Sequence, residues 1–168
     1  MAIEINTKVS VGPTYGNKVG NLLLEDAKFF GRPNFAGEKN RFNETKRQFT
    51  VLIPNDVGEN LRQAGWNVKT NIPTAEELQQ FPDRTELSHL KVAVDPGSEV
   101  FIKMGDQLER HTESTYGVAD RARVDYMDME LRAWEYDAEE RPGQYSARLV
   151  SDVMTITPNL MQEKYGVL

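Results

Sequence analysis

The sequence contains no cysteine, and this absence removes several classes of function. Without thiols, the chain of 168 residues cannot form disulfides, use a thiolate nucleophile or build a thiolate metal site. It also lacks any apolar run near the roughly 20 residues that a membrane-spanning helix needs. Its start, MAIEINTKVSVG, does not show the basic-then-apolar pattern of a signal peptide, so we expect a cytosolic protein.

Motifs for catalysis or for nucleotide phosphates are also missing. No G-x-S-x-G, Walker, G-x-G-x-x-G or H-E-x-x-H pattern occurs. His89 and His111 lie far apart without a metal-ligand pattern, so we interpret both as structural. Asp128 and Glu130 are two apart on one predicted strand and could hold a divalent cation for nuclease chemistry. Nearby arginines explain these acids better as a salt-paired strand face, so we predict no enzyme, no metal and no cofactor.

The composition is that of a globular protein with an acidic surface. Apolar residues make up 39% and charged residues 27% of the chain, and the length fits one domain with a core of its own. We therefore predict a single domain over residues 1–168. The net charge of −6 argues against a protein that coats duplex DNA by bulk charge, but it permits one basic groove on an acidic body.

Two long stretches in the C-terminal half predict a β-hairpin. In residues 124–136, Met127, Met129 and Leu131 alternate with polar and aromatic residues, which is the period of a half-buried strand. Residues 145–157 read as its partner, and the acidic link 137–143 reads as a solvated hairpin loop.

The remaining elements are also mostly short strands. We predict strands over 21–29, 48–53 and 66–72, a helix after Pro54 that ends at Gly65, a strand pair 89–94 and 99–104 turned at 95–97, and a polar excursion over 73–87 with a short helix. The chain has no βαβ rhythm. The predicted fold is mainly β, an antiparallel barrel or sandwich with one or two short helices.

The most informative stretch, residues 28–49, combines cations with rings. Six basic residues against two acidic ones give it a local charge of +4, so the rest of the chain carries about −10. Five phenylalanines lie in the same window. Cations attract a phosphate backbone and rings stack on bases, at roughly 1–3 kcal/mol per base, so this mixture is typical of a groove for single-stranded nucleic acid. The alternative is a polar loop whose phenylalanines return to the core.

A second set of rings lies on the polar face of the predicted hairpin. Tyr126, Trp134 and Tyr136 share that face with Arg132, and they either meet a ligand or pack under another element. Trp66 is interpreted as core, as are Phe29 and Phe49. The predicted DNA-binding residues are Lys28, Arg32, Phe35, Lys39, Arg41, Phe42, Lys46, Arg47, Tyr126, Arg132, Trp134 and Tyr136.

The order of several short motifs resembles a family of bacteriophage and prophage single-stranded DNA-binding proteins with an OB-type barrel. The motifs are L-x-x-E-D at 22–26, N-F-x-G at 34–37, F-N at 42–43, F-x-V-x-I-P at 49–54, G-W-N-V-K at 65–69 and the late acidic strand 124–136 with its partner. The resemblance implies an OB-like barrel that sequesters single-stranded DNA during phage replication or recombination, in the cytoplasm of the infected host. It implies no catalytic residues.

The leading hypothesis is therefore a non-catalytic binder of single-stranded DNA with little sequence preference. Replication or recombination proteins are its expected further partners, and the sequence leaves the oligomeric state open, a homodimer included. The alternative is a phage structural or assembly protein whose basic loop docks an acidic protein. A metal-dependent nuclease would depend on Asp128 and Glu130 alone.

Overall fold

The computed structural model describes residues 5–13, 19–39, 41–136 and 139–165, apart from the side chains of residues 162 and 163. Nine strands and a few short helices follow one another along the chain. They are β1 (Lys8–Val11), β2 (Leu22–Ala27), β3 (Gln48–Ile53), α1 (Asn55–Gln63), β4 (Val68–Asn71), α2 (Ala75–Gln80), β5 (Leu87–Ala93), β6 (Glu99–Met104), β7 (Gln107–His111), a 3-10 turn (Glu113–Thr115), α3 (Val118–Arg121), β8 (Val124–Glu135), β9 (Tyr145–Ile156) and α4 (Leu160–Tyr165). None of the helices in this part of the chain is long and apolar enough to cross a membrane.

The hairpin of β8 and β9 organises the sheet. Both strands are 12 residues long and pair antiparallel, with two bulges that interrupt the register. The free edge of β8 continues through β2 to β1, again antiparallel. The free edge of β9 holds two strands in tandem: β5 pairs with it near its start and β6 further along, both in parallel. Beyond them, β3 pairs with the other edge of β5 and β7 pairs with β6, while β4 pairs with β5 on the same edge as β9.

The ladder of strands does not close into a barrel, but the chain segment after β2 approaches β3 at the other end of the sheet. The path runs β1-β2-β8-β9-β5-β3. The residues that follow β2 reach β3 through the isolated bridge between Phe29 and Val51 and through the hydrogen bonds Phe30 N–H to Thr50 O (2.8 Å) and Leu52 N–H to Lys28 O (3.0 Å). The sheet therefore curls around one core, with an inner apolar face and an outer face.

The core consists of the inward residues of the alternating strands. From β8 it takes Met127, Met129 and Leu131, as the period of two predicted, and every strand from β2 to β9 except β7 adds apolar residues to the same cluster. Trp66 is 2% exposed and Phe49 is 2% exposed, which confirms their prediction as core residues.

The predicted fold class is confirmed as mainly β with short helices and a long C-terminal hairpin. The sheet differs from a purely antiparallel barrel because β5 and β6 both run parallel to β9. The predicted pairing of the 89–94 and 99–104 strands is wrong for the same reason. The turn at 95–97 does not fold β6 back onto β5. It carries the chain along β9, where the hydroxyl of Ser98 donates to Leu149 O at 2.7 Å.

Two local predictions are refined by the structure. The helix after Pro54 forms, but it begins at Asn55, whose side-chain oxygen accepts from the backbone N–H of Ser88 at 3.1 Å instead of capping the helix. Gly65 ends the chain's helical path with φ +105°, and a Cβ there would clash with the carbonyl oxygen of Gly143 on the hairpin link. Strands β1 and β7 were not predicted, since both are short and β7 is mostly charged.

Candidate nucleic-acid interface

The basic segment between β2 and β3 is a loop closed by one side chain, that of Asn34. Its Oδ1 accepts from the backbone N–H groups of Gly37 and Glu38, both at 3.0 Å. Its Nδ2 donates to the carbonyl oxygens of Glu38 (2.9 Å) and Lys46 (3.1 Å). The two ends of the segment 38–46 are thereby tied together. We call residues 38–46 the basic loop.

A carboxylate fixes the base of this loop from the other side. The backbone N–H groups of Phe35 and Ala36 donate to the two oxygens of Asp120, at 2.7 and 2.9 Å. The ring of Phe35 turns inward, 0% exposed, with its centroid 5.1 Å from that of Phe49. The prediction that Phe35 stacks on DNA is therefore corrected: its ring is part of the core, and it anchors the loop instead.

The cations of the stretch 28–49 divide into exposed and paired groups. Lys28, Arg32, Lys39 and Arg41 are exposed, and no carboxylate of the described residues forms an ion pair with them. At the tip of the basic loop, the Arg41 guanidinium lies 4.8 Å from the ring centroid of Phe42, which is 67% exposed. A cation and a ring presented together in this way suit a phosphate and its base.

The last two cations of the stretch have carboxylate partners. Lys46 pairs with Glu44 at 2.7 Å, and Arg47 pairs with Glu113 at 2.7 Å. The side chain of Arg47 is only 26% exposed, and its guanidinium lies 5.7 Å from the ring centroid of Tyr116. These pairs reduce the positive charge that the stretch offers to a ligand. Arg47 in addition packs the loop onto the body of the protein.

Arg32 and Lys39 border an open groove between the basic loop and α3. The groove has a volume of about 620 Å³, and Arg121 of α3 faces it as a third cation. Two carboxylates, those of Glu38 and Asp120, line the groove with the three cations, and Asp120 already accepts the two backbone N–H groups described above. The groove is thus lined by more positive than negative side chains.

The outer face of the hairpin presents a ring between two arginines. Trp134 is 48% exposed, and the guanidinium carbons of Arg148 and Arg132 lie 4.0 and 5.7 Å from its ring centroid. Asp95 accepts from both guanidinium groups, at 2.9 Å from Arg148 and 3.5 Å from Arg132. The prediction that Trp134 and Arg132 share an exposed face is confirmed.

Arg148 was not identified from the sequence. It lies on β9 among branched and small residues, where nothing marks it as a partner of Trp134. The signal that could have found it is the hairpin register: it places Arg148 directly opposite Arg132 on β8.

Tyr136 continues this face at the end of β8. Its hydroxyl accepts from Asn67 Nδ2 at 3.1 Å, and the Arg141 guanidinium lies 4.9 Å from its ring centroid. The acidic hairpin tip predicted around this point falls partly outside the described residues, because residues 137 and 138 are not described. We call Arg132, Trp134, Tyr136 and Arg148 the hairpin platform.

Strand register joins the basic loop to the hairpin platform. Gln48 on β3 lies opposite Ala93 on β5, Ala93 opposite Arg148 on β9, and Arg148 opposite Arg132 on β8. Neighbouring strands are about 4.8 Å apart, so Gln48 lies roughly 10 Å from Arg148. Because the basic loop ends two residues before Gln48, the two candidate surfaces adjoin.

Tyr126 lies away from both. It is 42% exposed, but eight residues separate it from Trp134 on β8, which is about 26 Å along a strand. Between them, Glu130 accepts from Asn21 Nδ2 at 2.7 Å and Asp128 accepts from the backbone N–H of Asp26 at 3.0 Å. These acids attach β2 and the residues before it to the hairpin. Among the described residues, no group of three His, Asp or Glu side chains could hold a metal ion.

One carboxyl group is buried on the inner face behind this site. Asp152 of β9 is 1% exposed, and neither of its oxygens has a hydrogen-bond partner of normal geometry. Burial raises the pKa of the Asp152 carboxyl to about 8, and the nearby backbone N–H of Phe101 offsets only part of that rise. Asp152 is therefore protonated in the folded protein at neutral pH.

Comparison with known proteins gives a family match over most of the chain. The model of the family described as "Putative phage ssDNA-binding domain" matches residues 15–168. None of the curated proteins matches the chain significantly. The solved structures that are similar to the chain include two of the single-stranded DNA-binding protein from bacteriophage Enc34. One is a C-terminal truncation (TM-score 0.48, 14% identity) and the other a complex with ssDNA (TM-score 0.47, 13% identity), each covering 90% of this chain and 97% of that chain.

Proposed function

This chain belongs to the family of phage single-stranded-DNA-binding domains, and from that premise we propose that the DNA lies across the basic loop and the hairpin platform. The protein is a binder of single-stranded DNA, and its family has a binding role without a catalytic one. In the proposed function, the one domain of residues 1–168 covers and protects DNA strands during phage replication or recombination, in the cytoplasm of the infected host.

The observation that supports this path best is the contact between Trp134 and Arg148. A half-exposed indole with a guanidinium 4.0 Å from its centroid offers a stacking surface and a phosphate partner at one point. Neither contact reads the edge of a base, so we propose binding with little sequence preference.

The residues proposed to contact DNA come from both surfaces. They are Lys28, Arg32, Lys39, Arg41, Phe42 and, more weakly because of their ion pairs, Lys46 and Arg47, together with Arg132, Trp134, Tyr136 and Arg148. Tyr126 stays a prediction for a strand that extends along β8. A homodimer and contacts with replication or recombination proteins likewise stay predictions.

The test is a titration of tryptophan fluorescence with an unlabelled dT oligonucleotide of roughly 30 nucleotides, longer than the ~4–16 that one OB-type domain covers. Because Trp66 is buried and Trp134 is half exposed, saturable quenching reports DNA at the hairpin platform. The affinity is expected to fall as salt rises, with a slope of about −0.7 per phosphate neutralised. Absence of quenching together with absence of a gel shift would instead favour the structural or assembly protein.

If DNA binds with no change in fluorescence, single-stranded DNA is still the ligand, but the proposed path of the DNA over Trp134 is wrong. An oligonucleotide of mixed sequence serves as the control for sequence preference. A difference of more than about tenfold between dT and mixed sequence would contradict the low preference, since sequence-tolerant stacking treats all bases alike.

A further inference from the structure

A second ring surface lies on the same outer face, outside every residue discussed as a DNA contact so far. Phe30, from the link between β2 and β3, stacks on His89 of β5 with ring centroids 4.7 Å apart and planes 8° from parallel. The backbone N–H of Phe30 donates to Thr50 O at 2.8 Å, which fixes the ring over the sheet. His89 Nε2 donates to Asn71 Oδ1 at 3.1 Å, which fixes the imidazole. We call Phe30 and His89 the ring pair.

Two lysines flank the ring pair. Lys69 of β4 lies directly opposite His89, and Lys91 follows His89 by two residues on β5, so both point to the outer face and both are exposed. Burial is the main cause that lowers the pKa of His89, and the charges of Lys69 and Lys91 lower it further. At neutral pH the imidazole is therefore a neutral flat ring, and the positive charge of this surface is carried by the lysines.

An open groove adjoins the ring pair. It has a volume of about 670 Å³ and is bordered by Phe30, Asn71, Ile72 and Leu87, with Glu77, Asp83 and Arg84 as its charged residues. Ile72 is 69% exposed, and Arg84 and Glu77 pair with each other at 2.8 Å. A groove with a ring, an amide and an apolar side chain matches the mixed surface of an unpaired base better than that of a charged peptide.

The ring pair lies within reach of a strand bound at the hairpin platform. Trp134 lies opposite Ser146 on β9, and the next residue of β9, Ala147, lies opposite Val92 on β5. The distance from Trp134 to His89 is thus about two strand spacings (~10 Å) across the sheet plus two to three residues (~7–10 Å) along β5. Lys91 lies between them and can neutralise the phosphate that joins the two positions.

We propose that the ring pair, with Lys69 and Lys91, is a second binding site for the same DNA strand. There an unpaired base stacks on Phe30, and the phosphates next to that base contact the two lysines. This inference rests on the proposed function. It extends the footprint from the hairpin platform along β5 to β4, which pairs with the same edge of β5 as β9 does, so it predicts that the occluded length of DNA depends on residues far from Trp134 in sequence.

The test compares the double variant K69E/K91E with the matched control K8E/K164E, which makes the same change of charge at exposed lysines of β1 and α4. Each protein is titrated with a short oligonucleotide of about 6 nucleotides and a long one of about 30, by quenching of Trp134. Relative to the control, K69E/K91E is expected to weaken binding of the long DNA by about tenfold or more and to shorten the length protected from nuclease. Binding of the short DNA is expected to match that of the control.

The outcomes separate the inference from the function it rests on. If K69E/K91E binds both oligonucleotides as the control does and protects the same length of DNA, the proposed second binding site is wrong, but the proposed function is unaffected. If the binding of both oligonucleotides is weakened equally, the lysines act only through general charge, and the second binding site is again wrong. If the unmodified protein shows no quenching by either DNA, the proposed path itself fails. Phe30→Leu, which keeps an apolar side chain but removes the ring, is expected to weaken only the long DNA.

Discussion

Arg148 covers the ring of Trp134, with its guanidinium carbon 4.0 Å from the ring centroid, although the two residues lie on different strands of the hairpin. The contact is diagonal: Arg148 lies opposite Arg132, and Trp134 lies opposite Ser146. A cation over a ring face holds both groups in place before any ligand arrives. The hairpin platform is therefore ordered by its own contacts and does not need DNA to form.

Replacing the ring at this position is expected to weaken DNA binding without unfolding the protein. Trp134→Ala removes a half-exposed side chain, so its cost should appear in affinity, at about 1–3 kcal/mol if a base stacks there. Trp134→Phe keeps a ring and should retain most of the affinity. Fluorescence anisotropy of a labelled oligonucleotide measures both variants. Equal affinities for the alanine variant and the unmodified protein would remove Trp134 from the DNA path.

Removing the charge of Asp95 is expected to strengthen binding. Its carboxylate accepts from Arg148 and Arg132, and phosphates must compete with it for the same donors. Asp95→Asn should tighten binding by about twofold to fivefold at low salt, the range of one partly exposed ion pair, and make the salt dependence steeper. Asp106→Asn, in the exposed turn between β6 and β7, is the control for net charge. A loss of affinity in Asp95→Asn would show that Asp95 orients the arginines more than it competes for them.

Alanine substitutions of two phenylalanines that are close in sequence are expected to affect different properties, DNA binding in one case and stability in the other. Phe42 is 67% exposed at the tip of the basic loop, so Phe42→Ala should reduce affinity by about 1–3 kcal/mol and leave stability nearly unchanged. Phe35 is 0% exposed, so Phe35→Ala should lower the free energy of unfolding by about 3–5 kcal/mol. Urea denaturation and anisotropy titration of both variants give the comparison. A stability loss in Phe42→Ala as large as that in Phe35→Ala would contradict the exposed loop tip.

The buried carboxyl of Asp152 makes stability depend on pH. Its pKa is raised from 3.8 to about 8 in the folded protein, so between these values the folded state holds a proton that the unfolded state has released. Stability from this group is therefore complete at low pH and is lost as pH rises from about 4 towards 8. Asp152→Asn carries no charge to bury, and it should raise the free energy of unfolding at pH 8 by about 1–3 kcal/mol, with a smaller effect near pH 4.

Urea denaturation of the unmodified protein and of Asp152→Asn across this pH range measures the effect. A difference in stability that does not vary with pH would mean that Asp152 does not change its protonation on unfolding.

The sequence predicted the parts of the fold that depend on local pattern. The alternation of residues 124–136 identified β8, its inward methionines and its outward rings, because period-two burial is a property of a single strand. The pairing of β5 and β6 with β9 could not be read in this way. It is a contact between segments more than 50 residues apart, fixed by the length of β9 and by the Ser98–Leu149 hydrogen bond.

The candidate site was predicted in the same uneven way. Arg132 and Trp134 followed from strand alternation, whereas Arg148, Lys69 and Lys91 required the register between strands. Phe35 was wrongly predicted to contact DNA because composition does not show whether a ring in a basic segment points to solvent or to the core. Its direction is set by Asp120, which lies 85 residues later in the chain.

The side chain of Asn34 determines when the conformational entropy of the basic loop is lost. Four hydrogen bonds from one amide join the two ends of the loop in the free protein, so the backbone freedom of those end residues, about 1–2 kcal/mol for each residue fixed, is given up during folding. DNA then meets a loop whose two ends are already joined, so binding does not have to bring them together. Position 34 therefore tolerates little change. A residue that cannot both donate and accept hydrogen bonds as Asn34 does would leave the ends of the loop free in the unbound protein, and the entropy of joining them would then be lost each time DNA binds.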